Sequence, residues 1–441
     1  MNENLENQIK EELEEINQKN LTRKIDNLRF VTSTRAIDEN GKEYLVYGTN
    51  NYLGLTHHPD VIKSAQTASV NGTGSTGSRL TTGGTFEAHE LEKNISSFKA
   101  TESTLLFNTG YMTNLGVIYT LCKKGDVIFS DRLNHASIID GIKISKADVK
   151  IYKHKDTDDL ERLILEAVEE NKTKNSTNTQ NNTNEENKSE NENSLNKEPN
   201  FFIITDGVFS MDGDIAPLPE LTEIAEKYNC CLIIDDAHAT GVIGKTGKGT
   251  VEYYKDKTGT DLTPYVDLQI GTLSKALASE GGYVTGKKIY MDYLINKSRP
   301  FIFSTALSPA TLASANTALN LLRENHEEYL SALRRNTRRM RELLSAGGLN
   351  VVEGETPIIP IIIGPAKLAG EFAKKLEDEG ILVSAIRPPS VPTGESRLRL
   401  TIIATHTIEE IENTADIIIR IWNELKTEIR SENIKSSELI P

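Results

Sequence analysis

The run Leu232-Ile-Ile-Asp-Asp-Ala-His-Ala-Thr-Gly241 closes an apolar stretch with two carboxylates and places a histidine three positions after the first. A short apolar run bounded in this way reads as a buried strand, and open α/β sheets bind ligands beyond the carboxyl ends of their strands. Asp235 at such an end can hold a protonated ring nitrogen, with His238 beside it. The other reading is a helix cap or an Asp/His cluster without a role. In Ile270-Gly-Thr-Leu-Ser-Lys-Ala-Leu277 a second strand ends and Lys275 follows, next to Thr272 and Ser274. A lysine whose pKa is lowered by partial burial can form a Schiff base with an aldehyde, although an isolated lysine is ordinarily solvated. Forty residues separate Asp235 from Lys275. That is room for one further βα excursion, which places both on the same sheet edge.

Two more junctions have the same form. In Phe107-Asn-Thr-Gly-Tyr-Met-Thr-Asn114 a strand turns through Thr-Gly into a helix. Free N–H groups at that helix start make an anion site, or the turn is an ordinary capped helix start. In Asp131-Arg-Leu-Asn-His-Ala-Ser137 an imidazole, His135, stands at another strand-to-helix junction, where a satisfied structural histidine is the alternative.

The elements that must position these residues alternate. Apolar runs at 127–129, 201–205, 232–235 and 266–270 are separated by helical patterns, which predicts βαβ units and a large, mostly parallel sheet. Ahead of them, Leu5, Ile9, Leu13 and Ile16 line one face of a helical arm, followed by a strand near 44–47 and a glycine-rich stretch from Gly72 to Gly84. Residues 171–200 hold eleven asparagines and one strong hydrophobe, Leu195. Such a segment cannot bury enough apolar surface to offset its ordering entropy, and is expected to be a disordered insertion after a helix ending near Glu170. Its Asn-x-Ser/Thr triplets are read as chance. Later come long helical patterns to about 347, a strand at 357–363, a helix at 366–379, strands near 381–386 and 398–403, and a final helix at 408–425. The expected division is an arm and strand over 1–55, a large domain over 56–300, a smaller C-terminal α/β domain over 301–430 and a tail over 431–441.

The chain has 441 residues and a net charge of −14. That balance argues against a general nucleic-acid binder but leaves room for a small anionic ligand in a locally positive pocket. Three cysteines without regular spacing (Cys122, Cys230, Cys231), a polar acidic N-terminus and no apolar run of membrane-spanning length point to a cytoplasmic protein without a membrane partner.

The ordered set Asn50-Asn-Tyr-Leu-Gly-Leu55, Ser130-Asp-Arg-Leu-Asn-His-Ala-Ser137, Asp206-Gly-Val-Phe-Ser-Met-Asp-Gly-Asp214, Asp235-Asp-Ala-His238, Gly271-Thr-Leu-Ser-Lys275 and Ile386-Arg-Pro-Pro389 resembles the α-oxoamine synthases. These are fold-type-I enzymes that use pyridoxal 5'-phosphate (PLP). The likeness runs from about residue 44 to about 407, interrupted by the Asn-rich segment. It implies decarboxylative condensation of an amino acid with an acyl thioester carried by CoA or an acyl-carrier protein, in a homodimer with shared active sites and with no metal. It implies that Lys275 is the Schiff-base lysine and proton-transfer base, that Asp235 pairs with the pyridinium nitrogen, that His238 meets the ring's phenolic oxygen, and that His135 stacks over the ring. Gly110, Tyr111 and Thr272 would hold the phosphate, with Thr305 supplied by the neighbouring subunit. Ser210 would contact the ring oxygen or the substrate, and Arg387, helped by Asn50, would bind the amino-acid carboxylate. Ser274 before the lysine, the run Gly77-Ser-Arg-Leu-Thr-Thr-Gly83 and Ala239 resemble the family members that join L-alanine to a pimeloyl thioester in biotin biosynthesis. Acetyl transfer to glycine, palmitoyl transfer to serine and a PLP-binding regulatory subunit remain the alternatives, because pocket shape decides acyl length.

Overall fold

The structure, a computed structural model, describes residues 2–181 and 198–437. The chain divides into two compact units. One holds the segment up to His57, Ser210–Asp214 and the segment from Glu328 onward; the other holds His58–Phe209 and Ile215–Glu327. The boundary expected at 300/301 therefore lies at Glu328. It follows a break in the helix Pro309–Ala346, where Asn325 leaves helical geometry with φ −124°.

In the first unit the chain opens with the helix Glu3–Gln18 and the strands β1 (Leu28–Phe30), β2 (Arg35–Asp38) and β3 (Glu43–Val46). In the second unit follow β4 (Ser103–Phe107), β5 (Val127–Asp131), β6 (Asp148–Tyr152), β7 (Phe201–Asp206), β8 (Cys231–Asp235), β9 (Leu268–Thr272) and β10 (Gly282–Gly286). The chain then returns to the first unit for β11 (Ile358–Gly364), β12 (Ile381–Leu382), β13 (Ser384–Ile386) and β14 (Ser396–Thr401).

The seven strands of the second unit form one sheet in the order β4-β10-β9-β8-β7-β5-β6. Its pairs are parallel from β9 to β6, and only β10 runs against its neighbours. Successive residues of one strand serve opposite faces. In β8, Leu232 and Ile234 join a core with Phe129, Ile203 and Leu221, while Ile233 joins Ile128, Phe202, Ile204 and Ile270 on the other side. Both faces are buried, so these strands read as continuous apolar runs rather than alternating ones. The carboxyl ends of β4, β5, β7, β8 and β9 consequently share one edge.

In the first unit, the region expected as one strand near 381–386 is two. β12 pairs parallel with β3, joining the N-terminal strands to the C-terminal segment in a four-stranded sheet, and β13 pairs with β14 in a sheet of order β11-β14-β13. The N-terminal segment is thus part of this unit's sheet and not a separate arm alone. The insertion also needs correction. The helix Thr157–Asn181 continues eleven residues beyond Glu170. Leu160, Ile164 and Ala167 anchor its first turns in the core, and once a helix is nucleated each added residue costs little. Residues 182–197 of the expected insertion lie outside the described residues. The last helix likewise runs through Ile408–Ser437 instead of stopping near 425. All three cysteines are free. Among the described residues no helix is long and apolar enough to cross a membrane.

Candidate active site

The edge formed by the strand ends of the second unit collects the sequence-predicted residues one junction at a time. At the end of β9, Thr272 is buried and its hydroxyl donates to Gly281 O at 2.9 Å and meets Ser274 Oγ at 2.7 Å. Lys275 follows, half-buried, with Nζ 2.8 Å from His238 Nε2. A hydrogen bond between these two nitrogens requires one of them to offer a lone pair, so at most one is cationic.

At the end of β8, Asp235 is buried. Its Oδ1 accepts the Ala237 N–H at 2.9 Å and its Oδ2 accepts Asn114 Nδ2 at 2.6 Å. Asn114 also donates to Ser137 Oγ at 2.9 Å, and that hydroxyl meets His135 Nδ1 at 2.7 Å. A chain of side chains therefore joins Asp235 to His135 through two residues that sequence reasoning did not assign. Asn114 Oδ1 is buried and has no hydrogen-bond partner among the described residues. His135 caps the helix Ala136–Ser145. The residue is exposed at the surface of the chain, yet the protein packed around it partly desolvates the ring and holds it below the ordinary imidazole value; the Asp235 charge opposes this shift and Lys275 adds to it.

At the end of β4, Thr109 caps the helix Gly110–Leu121 by accepting Met112 N–H at 3.0 Å. The N–H groups of Gly110 and Tyr111 precede the first intrahelical bonds and point from the helix start. Gly282 of β10 lies so close that a Cβ there would fall 2.7 Å from Gly110 N. The Thr305 side chain is exposed, and its carbonyl accepts from Asn108 Nδ2 at 2.6 Å.

β7 contributes a carboxyl that no assigned role uses. Asp206 is buried, and its Oδ2 accepts the His135 N–H at 2.7 Å. Burial and the Asp235 charge push this carboxyl well above the usual range, against the pull of the His135 N–H and Lys275.

The remaining predicted residues belong to the first unit. There Arg399, which sequence reasoning missed, gathers two of them. Its Nε donates to Ser210 O at 2.5 Å and its Nη2 to Asn50 Oδ1 at 3.1 Å. Arg387 Nη1 donates to Asn20 O at 2.6 Å. Arg397, two positions before Arg399, pairs with Asp212. Arg399 is buried and has no carboxylate partner among the described residues. An alternating Arg-Leu-Arg-Leu strand suggests an exposed polar face; all six residues of β14 are in fact buried.

The second unit's donor set suits PLP. A half-buried lysine can take the aldehyde, a buried carboxylate braced by Asn114 can take the ring nitrogen, and helix-start N–H groups can take a phosphate. Among the described residues no group of three or more His, Cys, Asp or Glu side chains could hold a metal.

Comparison with known proteins agrees with this geometry. The family model for class I and II aminotransferases matches residues 42–418. An 8-amino-7-oxononanoate synthase from Lysinibacillus sphaericus is 43% identical over 96% of this chain and 99% of its own length. Among solved structures, a lysine-to-alanine variant of serine palmitoyltransferase from S. paucimobilis with a bound PLP–myriocin aldimine superposes with a TM-score of 0.79 at 29% identity, covering 90% of this chain and 92% of that one. An 8-amino-7-oxononanoate synthase from Francisella tularensis superposes with a TM-score of 0.67 at 27% identity, covering 88% and 99%. The chain belongs to the α-oxoamine synthases, PLP-dependent members of the class I and II aminotransferase family.

Proposed function

We propose that the chain is a PLP-dependent acyltransferase that condenses L-alanine with a pimeloyl thioester, releasing 8-amino-7-oxononanoate, carbon dioxide and the free thiol of CoA or a carrier protein, in biotin biosynthesis. The observation that carries this reading is Lys275, His238 and the Asn114-braced Asp235 at one sheet edge, in a chain whose 8-amino-7-oxononanoate synthase relatives match it over nearly its whole length.

When bound, PLP supplies an electron sink for the α-carbon of the amino acid. Asp235, buried and held by Asn114, keeps its charge fixed toward the ring nitrogen. Lys275 Nζ takes the α-proton of alanine and later returns one to the same carbon. His238, at hydrogen-bond distance from Nζ, shares a proton with it and would meet the ring oxygen of the bound cofactor. His135 would cover the ring face and exclude water from it. The phosphate is assigned to the Gly110 and Tyr111 N–H groups and Thr272, with Thr305 acting across a homodimer. The new carbon–carbon bond joins the alanine α-carbon to the thioester carbonyl as the thiol leaves. The alanine carboxylate then departs as carbon dioxide. Before that step, Arg387 is assigned to hold this carboxylate, with Asn50 assisting and Ser210 as a further contact. Arg399 is a second candidate, since a buried guanidinium without a carboxylate suits a carboxylate ligand. The three free cysteines suit a cytoplasmic setting.

The serine palmitoyltransferase structure has the higher TM-score, so serine with a long acyl chain is the second reading. The 43% identity over 96% of the chain favours the first. Alanine labelled in its carboxyl carbon separates a true condensation from simple binding. Labelled carbon dioxide should be released only when pimeloyl thioester is present, and release independent of the thioester would overturn the reading.

A further inference from the structure

Two turns face each other at the sheet edge and are bound in both directions. Asn134 Oδ1 accepts the Asp206 N–H at 2.9 Å, and Asn134 Nδ2 donates to Ile204 O at 2.7 Å and Ser130 Oγ at 2.9 Å. In return, Asp206 Oδ2 accepts the His135 N–H at 2.7 Å. The side chain of each turn thus holds the backbone of the other. Asp206 and Asp235 are also register partners on the parallel strands β7 and β8.

Resting on the PLP reading of the site, we propose that Asp206 is a positioning residue, which aims the His135 imidazole over the cofactor by fixing the backbone from which it projects. The imidazole has two determinants. One is its own bond to Ser137 Oγ at 2.7 Å, and through that hydroxyl to Asn114. The other is the placement of its Cα, which the Asn134–Asp206 latch supplies. A carboxylate used only as an acceptor for one N–H needs no negative charge. Burial, the nearby Asp235 charge and Asp131 disfavour a negative charge on it, and Lys275 and the His135 N–H offset them only in part. A second anion there would also compete with Asp235 for the positive ring nitrogen. The isosteric amide should therefore serve nearly as well as the acid, whereas truncation should not.

The test uses the full-length protein and reads PLP affinity by titration and the visible circular dichroism of bound PLP, which reports how the ring is seated. Asp206→Ala should weaken PLP binding roughly tenfold and reduce the visible signal, as expected for loss of one buried hydrogen bond. Asp206→Asn should restore both to within about threefold of the parent. In a His135→Ala background, Asp206→Ala should add less than about a twofold further loss, because the residue it positions is gone. A folded Asp206→Ala protein with unchanged affinity and dichroism would overturn the proposal, and so would a full penalty persisting without His135. Should Asp206→Ala fail to fold, Asn134→Ala opens the latch from its other side, and an unchanged signal there would be equally decisive. A parent protein that binds no PLP would instead defeat the functional reading on which the proposal rests.

Discussion

Lys275 Nζ and His238 Nε2 stand 2.8 Å apart, joining the end of β9 to the turn after β8. One short contact thus ties the residue expected to carry the cofactor to the histidine three positions beyond the residue expected to polarise it.

Lys275→Ala removes the one amine placed to form the internal Schiff base. The variant should show no turnover above background and no protein-bound Schiff-base band on adding PLP, in a spectrophotometric titration corrected for free PLP. Retention of either would remove Lys275 from its assigned role.

Asp235→Asn should still bind PLP but lose activity on the order of 100-fold, since the fixed charge facing the ring nitrogen is gone. Asn114→Ala should have a milder effect. It removes one hydrogen bond to a charged group, about 1.5 kcal/mol, or roughly tenfold in kcat. Steady-state kinetics on both variants, with PLP content measured, check this order of severity.

The strand ends were legible in the sequence because both faces of the large sheet are buried, leaving apolar runs that stop abruptly at Asp131, Asp206, Asp235 and Thr272. That rule put Lys275, Asp235, His238 and His135 at strand ends, and the structure brings them to one edge. Asn114 closes the run that turns from strand into helix, and nothing in that run gives it a role. It lies a full helical turn inside Gly110–Leu121, and nothing local shows that its amide reaches Asp235, 121 positions away. Arg399 was missed for a different reason: its alternation with leucines imitates a half-exposed strand, whereas β14 is buried throughout. The two-residue strand β12 was also beyond reach, because its partner β3 lies more than 300 residues earlier.

His406 gives a pH-dependent contribution to stability. It is buried against Tyr47, with ring centroids 4.3 Å apart, and its Nδ1 accepts the Ile403 N–H at 3.1 Å. Burial lowers its pKa to about 4, opposed by Glu410. The unfolded chain, with an ordinary imidazole near 6.5, therefore takes up a proton that the folded chain refuses between these values. Stability should be complete above about pH 6.5 and fall as pH drops toward 4, by about 3 kcal/mol in all from this residue. Urea unfolding across that range should show a shallower pH slope for His406→Gln than for the parent.

The helix Glu3–Gln18 buries none of its residues within the chain. Leu5 is 50% exposed and Leu13 is 58% exposed. Together with the role assigned to Thr305, this apolar row leads us to expect a homodimer. Sedimentation velocity should give the mass of two chains, and Leu13→Asp with Ile9→Asp should weaken the association. A parent protein that is fully active as a monomer would exclude shared active sites.

The most direct measurement is product identification by mass spectrometry. The purified protein with PLP is offered alanine, glycine and serine, each with pimeloyl, acetyl and palmitoyl thioesters. The expected result is 8-amino-7-oxononanoate from alanine and the pimeloyl thioester, formed far faster than any other product. Preferential formation of a glycine–acetyl or serine–palmitoyl product, or no condensation with any pair, would contradict the proposed function.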